Sequence, residues 1–166
     1  MGELQVVAAY DRPAEVGELF KEYTDMLIEG DSAFKEYLDI QNYDQELEHL
    51  EWKYGMPEGR LYLAYFDGKL AGCIGLRKLD EAQCELKRLY VRPAFRGKKI
   101  GEQLMDIILK DAKDIGYSAM LLDTLPFLKS ALKLYRGLGF YEIPSYNDSP
   151  LDTTIYMKLD LNEVKA

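Results

Sequence analysis

Apolar residues along this chain change period several times, and each change marks an element. Leu4 to Ala9 is a short apolar run that reads as a first strand. After Asp11-Arg12-Pro13 the period lengthens. Val16, Leu19, Phe20, Tyr23, Met26 and Leu27 recur at helical spacing until Gly30 and Asp31 stop the run. Phe34 to Leu38 reads as a further helical turn. Asn42-Tyr43-Asp44-Gln45 reads as a capped helix start with Leu47, Leu50 and Tyr54 on one side, closed by Gly55 and Pro57. The pattern then becomes extended: Leu61 to Phe66 and Leu70 to Leu79 flank an Asp67-Gly68 hairpin turn, and Gln83 to Val91 follows. Gly72 and Gly75 within the second of these strands point to a bulge or a close contact.

Pro93 ends the extended stretch, because it lacks the donor that a continuing ladder needs. Behind it, Ile100, Leu104, Ile107, Ile108, Ala112 and Ile115 share one helix face, and Gly116 ends that helix. Ala119 to Leu122 reads as a buried strand. Phe127 to Leu138 reads as a helix with Leu128, Ala131, Leu132, Tyr135 and Leu138 aligned and Gly139 as its stop. Phe140 to Ile143 and Thr154 to Leu161 close the chain as strands around the turn-rich Pro144 to Asp152. Strand, two helices, three meandering strands, helix, strand, helix and two strands predict an α/β (α+β) fold: a mixed sheet with helices on both faces. The 166 residues, 48% of them hydrophobic, suit one domain over 1–166 with a full core.

Composition narrows the function classes. No apolar run approaches the ~20 residues that cross a bilayer, and the Met-Gly-Glu-Leu-Gln start lacks a basic targeting region, which predicts a soluble, cytoplasmic protein with no membrane partner. A net charge of −8 argues against nucleic acid as a partner. The charge is unevenly spread. Glu22 to Glu58 holds eleven acids against two lysines, whereas Lys87 to Lys113 holds eight basic residues against three acids. Solvated helix faces account for most such charges; a basic wall for a polyphosphate and an acidic approach for a cationic substrate is the functional alternative. Cys73 and Cys84 fall on adjacent strands whose simplest register puts neither opposite the other, so both read as reduced thiols.

The stretch Glu85 to Gly101 carries the candidate chemistry. A strand stops near Arg92, and a loop, Arg96-Gly97-Lys98-Lys99-Ile100-Gly101, feeds a helix N-terminus. First-turn N–H groups have no intrahelical partner and the macrodipole adds positive potential, so such a junction binds phosphate or pyrophosphate. Gly97 allows close backbone approach, and Arg96, Lys98 and Lys99 add charge. Two common phosphate loops do not fit. The Walker pattern needs Ser or Thr after its lysine, and Gly97 and Gly101 are too far apart for Gly-x-Gly-x-x-Gly. Strand, Arg-x-x-x-x-Gly loop and helix instead resemble the acyl-CoA pyrophosphate loop of the GNAT superfamily of N-acetyltransferases. Lys99 stands where that family's middle glycine sits, which predicts an ordinary negative φ at this residue. A second match is Ala131-Leu132-Lys133-Leu134-Tyr135-Arg136-Gly137-Leu138-Gly139-Phe140, similar to the family's Ala-x-x-Leu-Tyr-x-x-x-Gly-Phe; Leu128 replaces an Asn often found seven residues before the Tyr.

The resemblance covers nearly the whole chain and implies a mostly antiparallel sheet of about seven strands, with acetyl-CoA as co-substrate and no metal. It places the cofactor on Leu89, Tyr90, Val91, Arg96, Gly97, Lys98, Lys99, Ile100 and Gly101, pantetheine pairing with the strand and a backbone N–H of Leu89 to Val91 polarising the acyl carbonyl. An acceptor amine of pKa ~10.4 must lose a proton at a cost of about 4–5 kcal/mol at pH 7. Glu85 is the candidate base, and its structural alternative is an ion pair with Lys87 or Arg77 on the sheet surface. Tyr135 is the candidate acid for the departing thiolate; periodicity alone would make it a core aromatic. His49 lies off the apolar helix face and reads as solvated, and neither cysteine has a neighbour that would activate it as an acyl carrier. The aromatics Tyr37, Tyr43, Trp52 and Tyr54 are candidates for an acceptor pocket. The expected activity is direct acetyl transfer to an amine of a small molecule or peptide, with a cationic acceptor favoured by the charge distribution. A noncatalytic CoA-binding or regulatory module, or use of another acyl-CoA, are the alternatives, and a homodimer is left open.

Overall fold

The computed structural model describes residues 3–30, 54–146 and 154–161. The segments around Phe34, Asn42 and His49, with Tyr37, Tyr43 and Trp52, lie outside the described residues. Seven strands form one sheet in the order β1-β2-β3-β4-β5-β7-β6: β1 Leu4–Ala8, β2 Arg60–Phe66, β3 Lys69–Lys78, β4 Gln83–Val91, β5 Ala119–Thr124, β6 Tyr141–Ile143 and β7 Ile155–Asp160. Every neighbouring pair is antiparallel except β4 with β5. Three α-helices, α1 Pro13–Gly30, α2 Ile100–Ile115 and α3 Lys129–Leu138, complete the described elements with a 3-10 turn at Pro93–Phe95. The last helix begins two residues later than its apolar pattern predicts, because Leu128 occupies the N-cap with φ −81 and ψ 64. None of the described helices is long and apolar enough to cross a membrane.

Strand alternation divides the core between the two faces of the sheet. Ile74, Leu76, Leu86, Met120 and Leu122 pack with Ile100, Leu104 and Ile108 of α2 and Leu132 of α3. Their sequence neighbours point the other way. Leu61, Leu63, Cys73 and Tyr90 pack with Val16, Leu19 and Phe20 of α1. Tyr54 joins this second cluster, fully buried with its ring edge-on to Phe20. Both cysteines are free and buried, paired in register with Tyr90 and Lys78 respectively.

Two irregularities in β4 create the site. Its parallel pairing with β5 runs only from Gln83, Cys84 and Glu85 to Ala119, Met120 and Leu121. Beyond Glu85 no register pair joins the two strands. Arg88 adopts φ +59 where the β3 register shifts between Cys73 and Gly75, so β4 carries one extra residue there and bends. The two strands therefore part around a gap that is open to both faces of the sheet.

Candidate active site

A cavity of about 660 Å³ occupies this gap, a volume in the ordinary range of small-molecule sites, ~300–1,000 Å³. One wall is the β4 segment Leu89, Tyr90 and Val91; the facing wall is Asp123 and Thr124 of β5. Arg92 N–H bonds Ala71 O of β3 at 2.8 Å, so alternation turns the peptide groups of Tyr90 toward β3 and those of Leu89 and Val91 toward the gap. Tyr23 and Met26 of α1 border the cavity from one face of the sheet, and Ile100, Leu134 and Tyr135 border it from the other.

The loop end is built largely from backbone. Gly97 has φ +84, and a Cβ there would meet nothing within 4 Å. Lys99 is the N-cap of α2 with φ 62 and ψ 25. The negative φ expected at Lys99 is therefore wrong: a lysine holds a left-handed turn here, at an ordinary strain cost of ~1 kcal/mol. That turn aims the helix N-terminus at the cavity. Gln103 N–H makes the first helical bond, to Lys99 O at 3.1 Å, which leaves the N–H groups of Ile100, Gly101 and Glu102 ahead of the hydrogen-bonded spiral. Gly101 lines the cavity, and a Cβ on it would only touch Leu134 at 3.7 Å. Arg96 also lines it, its Nε bonded to Val91 O at 3.1 Å. Lys98 does not line it; its ammonium lies over the Phe66 ring, 5.2 Å from the centroid. The backbone cradle and the Arg96 and Lys99 charges fit a pyrophosphate.

Tyr135 is buried against Phe140, with ring centroids 5.7 Å apart, and lines the cavity. Among the described residues its hydroxyl has no hydrogen-bond partner. Burial, with the nearby Tyr23 and Asp123, raises its pKa above the ordinary tyrosine value, so the hydroxyl stays protonated and available as a donor. Glu85 does not line the cavity. It lies 2% exposed on the α1 face, its Oε1 accepting from Arg77 Nε at 2.7 Å and its Oε2 from Tyr146 OH at 2.7 Å. The alternative pairing with Arg77 is thus present, but in a buried setting and not on the sheet surface. Burial alone would raise the Glu85 carboxyl; the Lys87 and Arg77 charges and the two hydrogen bonds outweigh it and hold the pKa below the usual value.

Other side chains sort by the same geometry. Glu22 of the acid-rich segment is bound to Arg92, Oε2 to Nη2 at 2.7 Å, and Glu18 pairs with the same guanidinium. This part of the acidic half is consumed by the basic half. Burial pushes both thiols up to about 12, which removes them as nucleophiles. Among the described residues no cluster could hold a metal ion. Sequence reasoning missed Asp123, Thr124, Lys129 and Ser130, all of which reach the cavity. Lys129 and Ser130 directly precede the Ala131 to Phe140 motif and were readable from it; Asp123 and Thr124 become walls only because β4 and β5 part.

The cavity lies where a parallel strand pair splits, with a left-handed loop and helix N-terminus at one end and Tyr135 within, and the model of the acetyltransferase (GNAT) family matches residues 19–140. The chain belongs to the GNAT family of acetyltransferases. It is 38% identical over 128 residues to an uncharacterised N-acetyltransferase of Schizosaccharomyces pombe, covering 76% of this chain and 78% of that protein. The fold is shared with a GNAT acetyltransferase of Staphylococcus aureus (TM-score 0.74, 23% identity, 96% of this chain and 99% of that one). It is also shared with the PaiA N-acetyltransferase of Thermoplasma acidophilum in complex with coenzyme A (TM-score 0.71, 20% identity, 96% and 99% covered). This protein is an acyltransferase, and its family uses acetyl-CoA.

Proposed function

We propose that the protein, acting as one domain, moves an acetyl group from acetyl-CoA directly to the amine of a small molecule. Bound acetyl-CoA supplies an activated acyl group and a thiolate leaving group. The α2 N-terminus, Gly97 and Arg96 hold the pyrophosphate, and Leu89 and Val91 present backbone groups to the pantetheine arm and the acyl oxygen. On the opposite wall Asp123 attracts the acceptor's ammonium form. Glu85 takes the amine's proton through water, since it stands back from the cavity wall. Tyr135 donates to the sulfur as it leaves, so one proton leaves nitrogen and one reaches sulfur.

The observation that carries this reading is the Tyr135 hydroxyl, buried and without a partner among the described residues inside the cofactor cavity. A packing role would need no such orientation, and direct transfer agrees with the protonated state of both buried thiols. The test is to incubate the protein with acetyl-CoA and a panel of amines, reading thiol release and a one-acetyl mass increase of the amine. Tight CoA binding with no thiol release on any amine would make the protein a cofactor-binding module instead.

A further inference from the structure

Five charged or polar residues are buried among the described positions: Thr24, Glu85, Lys87, Arg88 and Thr124. The first four do not line the cavity. Thr24 Oγ1 donates to Lys21 O at 3.1 Å, and the Glu85 oxygens accept from Arg77 and Tyr146. Lys87 acts on Glu85 through its charge, and the Arg88 guanidinium lies over the Phe20 ring, 5.7 Å from the centroid. Thr124 differs on both counts. It lines the cavity at 7% exposure, and among the described residues its hydroxyl makes no hydrogen bond. A buried hydroxyl without a partner lowers stability, so its partner is to be sought in what fills the cavity.

Position narrows the choice of partner. Met120 and Leu122 pack on the α2 face of the sheet, so strand alternation puts Thr124 on that face too, the one from which Tyr135 borders the cavity. The Asp123 charge acts on Tyr135, so the phenol lies near this end of β5. The last β4–β5 pair is Glu85 with Leu121. Three residues on along β5, and three plus the extra bulge residue along β4, bring Thr124 level with Leu89, where the acyl group is proposed to sit. Thr124 and Tyr135 thus present partnerless hydroxyls on one face beside the bond that breaks. We infer that Thr124 is a second hydrogen-bond donor to the leaving sulfur. This deepens the acetyl-transfer reading and rests on it. As the N–C bond forms and the C–S bond breaks, the electron pair goes to sulfur. The Tyr135 proton follows it, while the Thr124 hydroxyl bonds the same sulfur and keeps its own proton. Burial and the Asp123 charge disfavour a Tyr135 phenolate, so a thiolate held by a second donor carries the developing charge at lower cost. The acceptor amine does not compete for this hydroxyl, because alternation turns Asp123, which attracts it, to the α1 face.

The experiment uses the full chain, CoA itself and two variants. Thr124→Val removes the hydroxyl and keeps the branched shape; Thr124→Ser keeps the hydroxyl. The direct readout is the ionisation of the bound CoA thiol, followed by thiolate absorbance against pH with the S-methyl-CoA complex as blank. Thr124→Val should raise the pKa of the bound thiol by about 1–2 pH units, the range of a hydrogen bond to a charged group, and Thr124→Ser should leave it near the wild-type value. With an acetylated amine in hand, Thr124→Val should lower kcat about 10–100-fold with the KM for acetyl-CoA nearly constant. Combined with Tyr135→Phe, the loss should differ from the product of the single losses, because both donors serve one sulfur. The Tm of unliganded Thr124→Val should equal or exceed that of wild type, since a partnerless hydroxyl is replaced by a methyl group. An unchanged thiol pKa in Thr124→Val, or a lower Tm, overturns the inference; if amines are still turned over, acetyl transfer stands without it. If no amine is acetylated although CoA binds, the functional reading fails, and the thiol pKa of wild type against Thr124→Val still decides the role of Thr124. Failure of CoA to bind overturns both.

Discussion

The two faces of the sheet solve different problems. On the α2 face the core is apolar and the proposed binding groups are backbone N–H groups at the helix N-terminus, held by the left-handed turn at Lys99. On the α1 face Glu85, Lys87 and Arg88 are buried where the β4–β5 pairing ends at Glu85. A backbone cradle depends on local conformation, so it survives the loss of any one side chain. A buried charge depends on every neighbour, and losing one member exposes the rest to an uncompensated environment. The first arrangement therefore tolerates substitution of side chains, and the second does not.

The largest effect should come where the two faces meet. Tyr135→Phe keeps the ring and its packing on Phe140 but removes the donor, and kcat should fall about 10²–10⁴-fold with the KM for acetyl-CoA nearly constant, measured by steady-state kinetics. A near-normal kcat would make Tyr135 a packing residue and leave the α1 face with all of the chemistry. The contrast in charge is probed by Glu85→Gln, which leaves Arg77 and Lys87 without their shared anion and should destabilise the fold by ~3 kcal/mol at pH 7 in chemical denaturation. The pH dependence has a definite sign. A carboxylate whose folded pKa is depressed stabilises the fold above its unfolded pKa, about 4.3, and that contribution disappears as pH falls through the folded value. The gap between wild type and Glu85→Gln should accordingly narrow below pH ~4. A gap that is constant with pH would mean that packing, not charge, holds Glu85.

Smaller effects test the backbone face. Gly101→Leu adds a side chain that meets only Leu134 at the Cβ and otherwise enters the cavity, so CoA affinity should drop by about tenfold or more, ~1.4 kcal/mol, by calorimetry on a folded protein. Unchanged affinity would remove the α2 N-terminus from the site. Smallest is Lys99→Gly, which relieves a left-handed lysine with φ 62 and should stabilise the fold by ~1 kcal/mol; a loss of stability would show that the lysine side chain, not the turn, matters at this corner.

Periodicity alone determined the order of the described elements, the boundaries of β4 to the residue, and most of the two apolar helix faces, where Met105 rather than Ile107 enters the core, because each depends on residues close in sequence. The candidate cofactor loop was legible for the same reason: two glycines, two lysines and a helix start lie within six positions, and the groups proposed to bind are backbone. What the tertiary structure decided was everything that needs a neighbour from elsewhere in the chain. The early end of β4–β5 pairing opened the cavity and brought Asp123 and Thr124 to its wall. The β3 register set Arg77 against Glu85 and Gly75 against Lys87, so Arg77 bonds the Glu85 carboxylate directly and Lys87 acts on it through space. Lys99 kept a left-handed φ because the loop and helix on either side over-determine it, outweighing the ordinary preference of a side-chain-bearing residue. Local pattern selects conformation, but burial and pairing are properties of juxtaposition, and a one-dimensional pattern does not contain them.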